Sequence, residues 1–189
     1  MAQADDLLST RWVARRREDY GQRWRIRRRA IPRKPRRRKI RPALRLQYGA
    51  LSYRFTPTAA LEILLVTTRR TKRWIIPKGW PIKGLRPAKS AAREAFEEAG
   101  VRGKIGTKSI GLFNYHKLLD EDGIQFNCEV KVFPLLVKRQ SENWPEFEQR
   151  LVQWVEPNKA VSMIKEPELK KLVATFAKRV AAAASKAIP

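Results

Sequence analysis

Residues 74–101 read WIIPKGWPIKGLRPAKSAAREAFEEAGV, a Gly- and Pro-rich loop running straight into an alanine-rich acidic segment. The second half predicts a helix. Pro87 suits a first helical turn, where its missing N–H leaves no intrahelical bond unmade, and Gly100 is placed to end the helix in a left-handed turn. At about 100° per residue, setting Glu94 at zero puts Glu97 near −60° and Glu98 near +40°, so three carboxylates share one face. Arg93 stands four residues before Glu97 and can pair with it. Ala92, Phe96 and Ala99 are expected on the opposite side, against a sheet. A solvated charged face is the plain reading of such glutamates. The loop before them, with its fixed backbone and exposed amides and carbonyls, argues for a site that takes a hard divalent cation and phosphate.

Strands and helices interleave around this stretch. LQYGALSYRF (46–55) and LEILLVTTR (61–69) read as strands joined by the turn-like TPTAA, the second apolar enough for a central position. RWIIP is a short strand stopped by Pro77. KSIGLFNYHKLL and IQFNCEVKVFPLLV read as strands flanking the acidic turn at Asp120 to Gly123, and LVQWVEP as one more. NKAVSMI and PELKKLVATFAKRVAAAASKA supply two closing helices, the latter with Leu169, Leu172, Val173, Phe176 and Val180 on one side. The class is mixed α and β, with helices packed on a sheet.

The 189 residues carry a formal charge of +24, which predicts polyanionic company. Residues 1–45 hold 17 Lys and Arg against 4 Asp and Glu, more than half of the net charge in a quarter of the chain. Three prolines and no sustained periodicity in RWRIRRRAIPRKPRRRKIRP predict an extended or disordered arm over 1–45, ahead of a domain over 46–189. The arm's arginines suit RNA phosphates and Trp24 suits a base; a solvated tail is the bland alternative. One cysteine, Cys128, excludes an internal disulfide and a cysteine-based zinc site, and its apolar strand marks it as core. No run approaches the ~20 apolar residues of a membrane span. Acids near the N-terminus and the lack of an apolar stretch argue against a leader, so a cytoplasmic protein is expected.

Gly79 to Val101 resembles the Nudix box: Gly, five residues, Glu, seven residues, Arg-Glu, an apolar residue, any residue, Glu-Glu, any residue, Gly and an apolar residue. Gly79, Arg93, Glu94, Ala95, Glu97, Glu98, Gly100 and Val101 stand at the required spacing, and Leu85 replaces the first glutamate. LLVTTRRTKRWIIPKG, GVRGKIGTKSIGLFNY and NWPEFEQRLVQWVEPNKAVSMI extend the likeness to the branch that hydrolyses diphosphoinositol and diadenosine polyphosphates.

The resemblance implies an α/β/α sandwich around a mixed sheet, of α+β class. It also implies hydrolysis of a phosphoanhydride in an anionic phosphorylated small molecule, with Mg²⁺ or Mn²⁺. Glu94, Glu97 and Glu98 with the Gly79 carbonyl would hold the metal, and Arg93 would orient the glutamates. The general base would be Glu94 or an acid of NWPEFEQR, Glu146 or Glu148. Among the cations near the loop, Arg69, Arg73 and especially Lys78 are candidates to hold substrate, with Arg54 on the first strand. Trp80 or Tyr115 would stack a base, while Trp74 and Trp154 read as scaffold. His116, the lone histidine, reads as a surface residue. Two other functions stay open: removal of pyrophosphate from RNA 5′ ends using the arm, and a non-catalytic nucleotide- or RNA-binding module, for which Leu85 leaves room.

Overall fold

The computed structural model describes residues 44–118 and 125–185. Most of the arm and the acidic turn at 120–123 lie outside them. The elements run β1 (Leu44–Phe55), β2 (Leu61–Thr67), β3 (Trp74–Ile75), β4 (Lys78–Gly79), α1 (Pro87–Ala99), β5 (Val101–Ile105), β6 (Gly111–Leu118), β7 (Gln125–Gln140), β8 (Val152–Val155), α2 (Pro157–Met163) and α3 (Pro167–Ser185). This is the expected α+β class, a mixed sheet flanked by helices.

The spine is β3-β2-β1-β7-β5; β4 pairs with β1, β6 with β7 and β8 with β2. Only β1 and β7 run parallel among the paired strands described, with Leu44 opposite Asn127 through Tyr53 opposite Leu136. β7 is long enough to serve two partners on its other side: β6 along its first half and β5 along its second. The apolar run of β2 is central as read, with Ile63, Leu64, Leu65 and Val66 wholly buried.

Three details depart from the sequence reading. Lys78 and Gly79 form a two-residue strand, β4, where a loop was expected. β5 was not expected, because VRGKI is short, contains a glycine and exposes Arg102, Gly103 and Lys104. It also carries a register shift between Arg102 and Gly103. In α1 the buried stripe is Ala88, Ala91, Ala95 and Ala99, on a helix that packs against β1 and its neighbouring strands. Ala92 and Phe96 sit farther round, lining a shallow groove with Leu85, Lys89, Arg93 and Arg102, whose guanidinium lies 3.6 Å from the Phe96 ring centre. Methyl-sized side chains along the stripe let the helix axis approach the sheet closely, which sets the height of the acidic face above β4.

Gly100 ends α1 at φ 70°, and its N–H reaches the carbonyls of Ala95 and Phe96. The closing helices form as read: Leu169 and Val173 are buried, with Phe176 against Tyr53 at 4.9 Å between ring centres. α3 lies so close to β6 that a side-chain carbon at Gly111 would meet Leu172 at 2.3 Å. Cys128 is a free, buried thiol in β7.

Candidate active site

The site forms where the last two turns of α1 face β4. β4 is two residues long and is fixed by β1, with Tyr48 opposite Gly79 and Gly49 opposite Lys78. Gly79 sits directly against Glu94: a Cβ there would fall 2.0–2.1 Å from the Glu94 carboxylate. Glycine leaves room for that side chain where it lies, and the Gly79 backbone thereby faces a carboxylate.

Glu98 is 3% exposed. Its Oε2 accepts the Lys78 backbone N–H at 3.2 Å and its Oε1 accepts from Arg150 Nη2 at 2.6 Å. Burial pushes its carboxyl up to about 7 against the relief offered by Lys78 and Arg150. Glu94 is also raised, first by burial and then by the neighbouring charges of Glu97 and Glu146. Glu97 accepts from Arg93 Nε at 2.5 Å.

A fourth carboxylate comes from the loop between β7 and β8. Glu146 is held by Arg69 and by Arg150 Nε, the latter at 2.5 Å, and its backbone N–H donates to the Glu97 carbonyl at 3.0 Å. Burial would raise this acid, but the two arginine hydrogen bonds overcome it and leave Glu146 below the ordinary carboxylate value. Beside β4, the Lys78 ammonium lies 5.0 Å from the centre of the Tyr115 ring, and the Tyr115 hydroxyl donates to Gln47 at 2.7 Å. The Tyr115 phenol is raised, by burial and then by Cys128.

The donor chemistry suits a hard divalent cation: all-oxygen groups whose mutual repulsion, felt at Glu94, a cation would relieve. The set is not closed, since among the described residues no three acidic, histidine or cysteine side chains are drawn together as a coordination shell. Guanidinium groups satisfy Glu98 and Glu146 instead.

Glu94 lies against Gly79, Glu98 accepts the Lys78 N–H, Glu97 is paired with Arg93, and Arg69 joins the group through Glu146. The two loop acids stand apart: Glu146 is bonded to Arg69, Arg150 and the Glu97 carbonyl, whereas Glu148 is exposed. Arg54 is committed to Glu62 at 2.7 Å and lies over the Trp154 ring at 4.2 Å. Arg73 pairs with the buried Glu166 at 2.9 Å. Trp80 is 38% exposed beside the loop. His116, exposed as expected, contacts Asn127 at 2.6 Å. Sequence reasoning missed Arg150; the one available signal was its i,i+4 spacing from Glu146, which reads as a helical pair although the segment is not a helix.

The family model for the NUDIX domain matches residues 48–176. The chain belongs to the Nudix family. Among curated Nudix relatives, Nudix hydrolase 21, chloroplastic, of Arabidopsis thaliana is 32% identical over 140 residues, covering 69% of this chain and 65% of the relative. Diphosphoinositol polyphosphate phosphohydrolase 3-alpha of Mus musculus is 36% identical over 86 residues, covering 45% and 48%. The chain thus spans between about half and two thirds of the length of these relatives. The Nudix fold is shared with the crystal structure of C. elegans Ap4A hydrolase, at TM-score 0.52 and 20% identity over 73% of this chain and 99% of that one. Among the described residues no helix is long and apolar enough to cross a membrane.

Proposed function

We propose that this Nudix protein hydrolyses a phosphoanhydride bond in an anionic phosphorylated small molecule, with Mg²⁺ or Mn²⁺. A dinucleoside polyphosphate, a diphosphoinositol polyphosphate or a related nucleoside diphosphate derivative is the substrate class. The observation that carries the reading is Glu98, a buried carboxylate held at the foot of an acidic helix face that is packed against Gly79. A carboxyl raised by burial and set beside other carboxylates in this way supports a functional site. The names of the mouse relative and of the worm structure favour the substrate class.

Glu94, Glu97, Glu98 and the Gly79 carbonyl would hold the cation, whose chemistry when bound is to offset phosphate charge and acidify water. Lys78 and Arg69 put positive charge beside that face for the phosphates. Arg93 steadies Glu97. Glu94 is the first choice for the base that takes the proton from the attacking water: burial and two neighbouring acids raise its affinity for a proton. Glu146, kept anionic by two arginines, is the second. Arg54, Arg73 and Trp80 remain in the proposal only as outer contacts to a long substrate.

The test is phosphate release by the purified protein with each metal across these substrate classes, beside Glu98→Gln. Turnover in the wild type that falls by about 10² or more in the variant is expected; equal activity in the two would remove Glu98 from the chemistry. Residues 1–45, with 17 basic residues against 4 acidic, favour a second reading in which 5′-triphosphorylated RNA is the substrate. Preference for RNA over every small molecule in the same panel would install it. A chain that binds nucleotide without turnover would be a binding module, the role that Leu85 leaves open. For location we propose the cytoplasm; two plant relatives are named chloroplastic and mitochondrial, and imaging of the tagged full chain decides.

A further inference from the structure

The geometry points to Arg150 as a positioning residue that holds the loop acid Glu146 against the acidic helix. The inference rests on the hydrolase reading for its catalytic consequence, but not for its geometry. Arg150 is 10% exposed and makes three bonds in three directions: to Glu146 Oε2 at 2.5 Å, to Glu98 Oε1 at 2.6 Å and to the Thr67 carbonyl at 2.9 Å. Those partners come from the β7–β8 loop, from α1 and from the end of β2.

The cause is electrostatic. Glu94, Glu97 and Glu98 already crowd one helix face, and a fourth carboxylate placed beside them is repelled. Glu146 nevertheless lies close enough to raise Glu94, and its N–H is bonded to the Glu97 carbonyl. A fixed cation between the old charges and the new one makes that placement favourable, and a planar guanidinium can bond both carboxylates while its third edge is anchored on a backbone carbonyl. The loop is pinned on either side of this point. Leu151 donates to Thr67 Oγ1 at 3.0 Å, Lys72 to the Gln149 carbonyl at 3.1 Å, and Ser141 to the Gly100 carbonyl at 3.0 Å. Arg69 binds the other oxygen of Glu146, so the carboxylate is fixed in direction as well as place. All three of these Arg150 bonds go to the protein, so its action on the reaction runs through the groups it holds.

The experiment compares wild type, Arg150→Ala, Arg150→Lys, Glu146→Gln and the Arg150→Ala/Glu146→Gln double variant. Amide exchange is measured first, without metal. In Arg150→Ala the Glu146 N–H should exchange about tenfold faster or more, as expected on losing charge-assisted bonds, while Ser141 N–H is unchanged. Arg150→Lys, which keeps the charge but cannot fork, should fall between. Steady-state kinetics follow. Arg150→Ala should lower kcat by about 10-fold to 100-fold with little change in KM, and the part of that loss that runs through Glu146, as distinct from the part through Glu98, should vanish in the Glu146→Gln background. Unchanged exchange at Glu146 in both Arg150 variants overturns the inference, and so does a full, additive kcat loss in the double variant. If the wild type turns over nothing, the hydrolase reading fails while the exchange data still decide what Arg150 does.

Discussion

Glu98 concentrates the chemistry at the scale of single residues. Its raised carboxyl means that the folded chain holds this proton more tightly than the unfolded chain does. The stability it contributes is therefore complete below the ordinary value near 4.5, and is lost as pH rises through about 7. Urea midpoints of the metal-free protein should fall across that window, and Glu98→Gln should flatten the fall. An identical slope in the variant would place the titration elsewhere. Gly79 makes a complementary case. The atoms that a new Cβ would strike belong to the far end of the Glu94 side chain, which can swing away. Gly79→Ala should thus keep its stability within about 1 kcal/mol, while Mn²⁺ affinity, measured calorimetrically, drops with the displaced carboxylate. Between the loop acids, Glu146→Gln should lower kcat by more than Glu148→Gln, since only the former is held at the site. The box residues were legible because their roles depend on local spacing; Arg150 was not, because its partners lie 4, 52 and 83 positions away along the chain.

At the scale of elements, the end of α1 and the loop after β7 form one unit. Gly100 needs both its left-handed backbone and its lack of side chain, because a Cβ would come within 2.5 Å of the Trp144 ring. Trp144 in turn packs edge-on against Phe147 at 4.6 Å between ring centres, next to Glu146. Gly100→Ala should cost about 1–3 kcal/mol in thermal or chemical unfolding, with faster proteolysis in residues 141–151 as its local sign. Unaltered cleavage there would separate the helix end from the loop. Element identity was mostly readable: α1, α2, α3 and the strands other than β4 and β5 appear where periodicity, proline and glycine put them. β5 escaped because its bonds to β7 hold three exposed, polar or glycine positions that have no apolar signature. The alanine stripe was misplaced by a fraction of a turn, since helical angles order residues around an axis without saying which side meets the sheet.

The whole molecule is governed by charge. With +24 overall and 17 of 42 basic residues before residue 46, the chain should bind single-stranded RNA with an affinity that falls steeply and log-linearly with salt. Deleting the arm should reduce that slope by several units. The cut belongs after residue 43, because Leu44 and Arg45 already pair with Asn127 and Cys128 in β7. Small-molecule turnover that survives this cut while RNA affinity falls would make the arm an accessory; loss of both would tie it to the reaction.

Residue order alone was enough for the family, the mixed class of the fold and the helix with its three carboxylates. All of these rest on short-range spacing and on backbone preferences of glycine and proline. The assembled fold was needed to show that Gly79 packs on Glu94, which loop acid reaches the helix, which arginine bridges them, and which basic residues are tied to structural acids such as Glu62 and Glu166. The physical reason is common to each. A charged side chain on a loop finds its partner through space, and β2, α1 and the β7–β8 loop meet at Arg150 only after the sheet has been assembled.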